Sequence, residues 1–405
     1  MAVRDTPWSS LKMAPIDVTF GLSEACKKDS RSPKVNLAIG VYSNDDGSSF
    51  VFPVVHEVEK YIAGKGLDKE YAGILGLESF RRASLEFALG SESKAVIGGL
   101  CATAQTVAGT SALRVIATFL AKHYPYEKTL YISEYTWPNH APIFKEAGFS
   151  VKSFRYYNWK TGGLDSEGLY QDLKSIPKHS VVLFQACGHN PTGVDPVVEE
   201  WNEISKICKD CGHFVVIDNV YQGFASGSHE KDATSIRRLV DDGNNVAICQ
   251  TFSKNFGLYG ERVGTATIVC SSVDEKRIVE SHLKLVIRPM YSNPPINGAR
   301  IATEILTNPQ YRNQWLKEFN VVFEDIQSKR VAFHDALVKT GSKRDWSHIL
   351  RQKGWFCFTS LSEEQVAMLE KDYAIYMSKA GRVPVVALRT SEIGYLANAI
   401  HSVMK

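Results

Sequence analysis

The chain has 405 residues, 44% of them hydrophobic and 22% charged, an ordinary globular usage that excludes a disordered, collagenous or fibrous protein. Its 47 basic and 44 acidic residues leave a net charge of +3, which is no footprint for nucleic acid or an anionic membrane. A single core rarely grows to this length, so two domains are expected.

The N-terminal stretch MAVRDTPWSSLKMAPID lacks an apolar core and carries early acidic residues. It reads as neither a secretory signal nor a transit peptide, and the cytoplasm is the expectation. A helix begins near Thr110, with Leu113, Ile116, Phe119 and Leu120 at helical spacing. TLYIS (129–133), VVLFQACG (181–188), HFVVID (213–218), VAICQTFS (246–253) and VGTATIVCS (263–271) read as buried strands. Continuous apolar runs of this kind suit a mostly parallel sheet covered on both faces. The alternation of strand and helix predicts an α/β fold. From about Phe319 the character changes. Charged helical stretches there precede GWFCFTSL (354–361) and GRVPVVAL (381–388), which suggests a smaller second α/β domain.

The eight cysteines are irregularly spaced and read as free thiols. Cys208 and Cys211 form a C-x-x-C beside His213. No second ligand pair accompanies them, so two thiols on a helix are expected, and no metal.

Open α/β sheets bind ligands beyond the carboxyl ends of their strands. Tyr135, Trp137 and His140 follow the first of the strands above, and His189 and Asn190 follow the second. Asp218 closes the third, with Tyr221 three residues on, and Lys254 follows the fourth. Ala108-Gly109-Thr110-Ser111 lead into a helix whose N-terminus suits phosphate. Each residue has a plainer reading by itself. Asp218 can cap a turn, Lys254 can be a solvated surface lysine, Trp137 can be packing, and Asn190-Pro191 is a common turn pair. Together they place an aromatic, an amide, a carboxylate, a phenol and a lysine on one sheet edge.

These stretches resemble the aspartate aminotransferase family of pyridoxal-phosphate (PLP) enzymes. The resemblance is carried by KEYAGILGLESF (69–80), TWPNHAPIFKEAGF (136–149), ACGHNPTGVDP (186–196), DNVYQGFASG (218–227), TFSKNFGLYGERVG (251–264), VIRPMYSNPPINGARI (286–301) and IYMSKAGRV (375–383). It runs from about Leu37 to the C-terminus and is nearest the eukaryotic, cytosolic-type branch. It implies PLP fold type I, with a large domain at 48–325, a small domain at 15–47 and 326–405, and an N-terminal arm at 1–14. Lys254 would form the Schiff base with PLP and then shuttle the substrate's α-proton, both suited to a lysine whose pKa burial lowers. Asp218 would keep the pyridine nitrogen protonated. Tyr221 and Asn190 would bond the ring's phenolic oxygen, and Trp137 would stack on the ring. His140 and His189 would support Asp218. Gly109, Thr110, Thr251 and Arg262 would hold the phosphate, helped by Tyr71 of the neighbouring subunit.

Arg382 would clamp the substrate α-carboxylate. Arg288 would cross from the partner subunit to the distal carboxylate, and Gly40 and Tyr42 would close over the substrate. The implied reaction is ping-pong transamination between aspartate and 2-oxoglutarate in a homodimer with shared sites. A broader specificity, reaching aromatic acids or cysteine sulfinate, stays open. So does a weakly active paralogue with a binding role. The sequence departs from the family at Ala108, where a serine hydroxyl is usual, and at Ser111. It departs again at the AGI after Tyr71, at Asn219-Val220, and at Pro384 in place of asparagine.

Overall fold

The computed structural model describes residues 6–17 and 19–405. Residues 1–5 of the expected arm lie outside that description. In the rest of the arm Trp8, Leu11 and Met13 are exposed.

Among the described residues thirteen strands form in chain order: β1 (Val35–Leu37), β2 (Cys101–Val107), β3 (Thr129–Ser133), β4 (Ser150–Phe154), β5 (Tyr157–Asn158), β6 (Gly163–Leu164), β7 (Val181–Gln185), β8 (Phe214–Asn219), β9 (Asn245–Thr251), β10 (Val263–Val269), β11 (Phe356–Phe358), β12 (Ile375–Met377) and β13 (Arg382–Pro384). Seven of them build one sheet in the order β2-β10-β9-β8-β7-β3-β4. The run from β9 to β4 is parallel, while β10 is antiparallel to both its neighbours. Two expected features shift. The polar tails of VVLFQACG and VAICQTFS leave the sheet as the loops that carry the site. β2 and β4 were not anticipated, because Cys101–Val107 is rich in alanine and threonine, and edge strand β4 exposes Ser150, Lys152 and Ser153.

The sheet is buried between two helical layers. Leu113, Val115, Ile116 and Leu120 of the helix Ala108–His123 pack on one face with Leu130, Leu183 and Val216. Trp201, Ile204 and Cys208 of the helix Val198–Cys211 pack on the other with Val182, Val215 and Ile217. Cys208 and Cys211 are free thiols on that helix, and His213 meets the Leu173 carbonyl oxygen at 3.1 Å instead. Among the described residues no cluster of three or more metal-ligating side chains forms, and no helix is long and apolar enough to cross a membrane.

The charged helix expected from Phe319 starts earlier, at Pro309, and runs to Lys339. Asn308 caps it, its side chain accepting from the Gln310 N–H, and Pro309 fits the first turn, where no backbone donor is needed. It buries Trp315, Phe319, Val322, Ile326, Phe333 and Leu337. Fully burying a side chain of this kind contributes about 1.5–3 kcal/mol, so this stripe outweighs any single polar contact of the helix. GWFCFTSL and GRVPVVAL shrink to β11 and β13, which pair antiparallel with Phe356 opposite Pro384. Pro384 has no N–H to extend the ladder, and Val385–Ala387 turns into a 3₁₀ helix. The ends of the chain meet where β1 pairs parallel with β12, Val35 opposite Ile375.

Candidate active site

Beyond the carboxyl ends of the parallel strands lies a cavity of about 680 Å³. Its walls include Gly40, Gly109, Thr110, Trp137, Asn190, Asp218, Tyr221, Thr251, Lys254, Arg262 and Arg382. Tyr42, Ser111, Tyr135, His140 and His189, also singled out in the sequence, do not line it. Two more stay outside: Tyr71, which is 86% exposed, and Arg288, an exposed residue whose guanidinium donates to the Ser292 hydroxyl. Neither reaches the cavity of its own chain.

Asp218 sits near the end of β8, between Gln185 and Cys249 of the neighbouring strands. Its Oδ2 lies 3.0 Å from His140 Nε2, and its buried Oδ1 has no protein partner. The carboxylate sets the direction of that contact. Thr136 Oγ1 accepts from Gln185 Nε2 at 3.3 Å and lies 2.8 Å from His140 Nδ1, while the carboxylate at the other ring nitrogen can only accept. His140 Nε2 therefore carries the hydrogen and donates it to Asp218. A buried carboxylate oxygen without a donor is costly, so this one calls for a cationic N–H from a bound group. His189 is one layer further out. It reaches Ser133 and Thr192 and stacks on Tyr156, and it does not touch Asp218 directly.

Lys254 follows β9 on a turn anchored on both sides. Phe252 and Phe256 are fully buried, and Trp315 Nε1 donates to the Asn255 carbonyl at 2.8 Å. Its Nζ donates to the Gly40 carbonyl at 3.1 Å. Burial, aided by the positive Arg382 and Arg262, pulls its pKa down to about 7.

Arg382 is 8% exposed. Its Nη2 donates to the Ala38 carbonyl at 2.8 Å and its Nη1 to Asn190 Oδ1 at 3.2 Å, while its Nε is buried without a partner. No carboxylate pairs with this guanidinium in the described chain, which leaves it fit for an anionic ligand. Asn190 is held from behind, its N–H donating to Gln185 Oε1 and its carbonyl accepting from Gln185 Nε2. Burial, with Asp218 beside it, raises the Tyr221 phenol, so it stays protonated and can donate.

At the far end, the helix Ala108–His123 begins with no side-chain cap. Its first N–H groups are left free, a setting that favours an anion. Gly264 lets β10 pass this turn, since a Cβ there would meet the Ala108 backbone at 2.9 Å and the Gln250 carbonyl of β9 at 2.4 Å. Thr251 and Arg262 complete this end. An anion cradle, an aromatic wall at Trp137, a lysine and an unpartnered carboxylate oxygen fit a phosphorylated pyridine aldehyde. Sequence reasoning missed Tyr259 and Phe356, which also line the cavity. It missed Gln185 too, although a polar residue ending an apolar strand is the signal that exposed Asp218.

The aminotransferase class I and II family model matches residues 32–400. The mitochondrial aspartate aminotransferase of Xenopus tropicalis is 48% identical over 98% of this chain and 93% of its own length. That of Gallus gallus is 46% identical over 98% and 94%. The aromatic-amino-acid aminotransferase of Burkholderia pseudomallei, solved covalently bound to pyridoxal phosphate, superposes with a TM-score of 0.94 at 37% identity, over 99% of this chain and 100% of that one. The mitochondrial relatives overturn the cytoplasmic expectation and point to the mitochondrion. The N-terminal stretch was the only ground for that expectation, and relatives similar over nearly the whole chain outweigh it. With the family model spanning most of the chain, this protein belongs to the class I and II aminotransferases.

Proposed function

We propose that the chain is a PLP-dependent aspartate aminotransferase, converting L-aspartate and 2-oxoglutarate to oxaloacetate and L-glutamate by a ping-pong mechanism. The observation that carries this is a single cavity lined by a lysine near neutrality and an aspartate with one unpartnered oxygen. The bound cofactor supplies an aldehyde that takes up the amino group and a pyridinium ring that spreads negative charge from the substrate's α-carbon.

The chain's residues do the rest. Asp218 Oδ1 would hold the ring N–H, with His140 steadying the other oxygen. Tyr221 and Asn190 would donate to the phenolic oxygen, and Trp137 would cover the ring. Gly109, Thr110, Thr251 and Arg262 would hold the phosphate, with Tyr71 of the partner. Arg382 would grip the α-carboxylate. Lys254, neutral in a large fraction at pH 7, would take the α-proton and return it, as a base poised near the working pH does. Arg288 would reach the distal carboxylate in the partner's site. Its exposure here, with only a serine as partner, supports a homodimer in which each site borrows two residues. The division into an arm at 1–14, a small domain at 15–47 and 326–405, and a large domain at 48–325 belongs to the same reading.

The name of the Burkholderia enzyme favours one competing reading, a broader specificity that includes aromatic acids. Comparing kcat/KM for aspartate and phenylalanine, in the wild type and in Arg288→Leu, separates the two. The acidic reading expects the wild type to prefer aspartate. Arg288→Leu should then lose on the order of 10⁴-fold for aspartate and little for phenylalanine, as when a site built for a polar group loses its partner. Equal rates in the wild type would favour the broad reading.

A further inference from the structure

The Lys254 amine lies over two aromatic rings. Its Nζ is 4.8 Å from the Tyr259 ring centroid and 4.9 Å from that of Trp355. The two ring centroids are 6.4 Å apart with their planes tilted, so the nitrogen stands to one side of the pair and faces both rings. Both distances are within the roughly 6 Å over which a ring face attracts a cation. Trp355 is fully buried, and its Nε1 has no hydrogen-bond partner. The indole is not held there by its own polar atom.

Its backbone holds it. Arg330, 2% exposed on the long helix, has no carboxylate partner. Its Nη2 donates to the Gly354 carbonyl at 2.5 Å and its Nη1 to the Phe356 carbonyl at 3.1 Å, one residue to either side of Trp355. The Val385 N–H donates to the Trp355 carbonyl at 2.9 Å. A buried guanidinium spent on carbonyl oxygens around one tryptophan implies that the indole's placement matters.

We infer that Trp355 and Tyr259 form an aromatic clamp that receives the Lys254 amine whenever it is not bonded to the cofactor, with Arg330 positioning the indole. This rests on the functional reading above. The other groups around the amine are the Gly40 carbonyl, Arg382, Arg262, Tyr221 and Asp218. Burial and the two guanidiniums favour the neutral amine. The ring faces and the Gly40 carbonyl favour the ammonium. The balance keeps the amine able both to take and to return a proton.

The test is competitive labelling of the apoenzyme with acetic anhydride across pH, reading the Lys254 pKa from the labelled peptide. Trp355→Met fills the space with an apolar chain and removes the ring face. The clamp predicts a pKa lower by roughly half a unit to one unit, the size of one such contact. Trp355→Phe should restore most of the wild-type value. Tyr259→Leu should give a fall of the same sign, which keeps the test decisive if the Trp355→Met protein does not fold. An unchanged pKa in the Met and Leu variants overturns the clamp. A rise also overturns it, since the rings would then act only by excluding water. Failure of the functional reading is separable: the wild type would gain no visible band with PLP, while the labelling pKa would still be measured.

Discussion

At Ala108 the backbone turns through φ 62°, a conformation that favours glycine, beside the free N–H groups of the helix Ala108–His123. A methyl group stands where the family usually offers a hydroxyl to the phosphate. One hydrogen bond to a charged group contributes about 1.5–3 kcal/mol. Ala108→Ser should therefore tighten PLP binding by about tenfold or more, measured by cofactor titration of the apoenzyme. No tightening would mean that the helix N-terminus and Arg262 already satisfy the phosphate. Residue by residue, the site was largely legible, because Asp218, Lys254 and Asn190 each interrupt or follow an apolar strand. Trp355 was not. An aromatic residue in GWFCFTSL reads as ordinary strand core, and only the fold brings it against Lys254.

At the scale of elements, the helix Pro309–Lys339 ties the molecule together. One end supports the lysine turn through Trp315, and the other reaches the Trp355 segment through Arg330. Arg330→Met would leave the Gly354 and Phe356 carbonyls without donors. Two lost charge-assisted bonds, less the guanidinium's own desolvation cost, leave a destabilisation on the order of 2–4 kcal/mol, read as a lower denaturant midpoint. A midpoint unchanged from wild type would mean that the segment is held by packing alone. The strands with continuous apolar runs, β3, β7, β8, β9 and β10, were foreseen. β2 and β4 were missed because alanine, threonine and exposed polar residues give little periodic signal, and pairing with neighbours decides their structure.

For the whole molecule, acid stability turns in part on His189. Burial, with His140 nearby, pulls its pKa down to about 3. An unfolded chain binds a proton at this position below about 6.5, and the native one does not until about 3. Stability is therefore lost as pH falls through that window, by about 2 kcal/mol at pH 5 from this group. His189→Gln should flatten the acid limb of the denaturant midpoint against pH by about that amount. An identical slope in the two proteins would mean that His189 protonates in place. The proposed sharing of sites between subunits is the least legible level, because Tyr71 and Arg288 do not line the cavity of their own chain.

The most direct test of an acidic-substrate aminotransferase is the absorption spectrum of the purified, PLP-loaded protein before and after aspartate alone. Conversion of the visible band of the lysine-bound cofactor to the shorter-wavelength band of its amino form is the predicted result, with oxaloacetate released in equal amount. A band that aspartate leaves unchanged, while phenylalanine converts it, would contradict the assignment of aspartate as substrate.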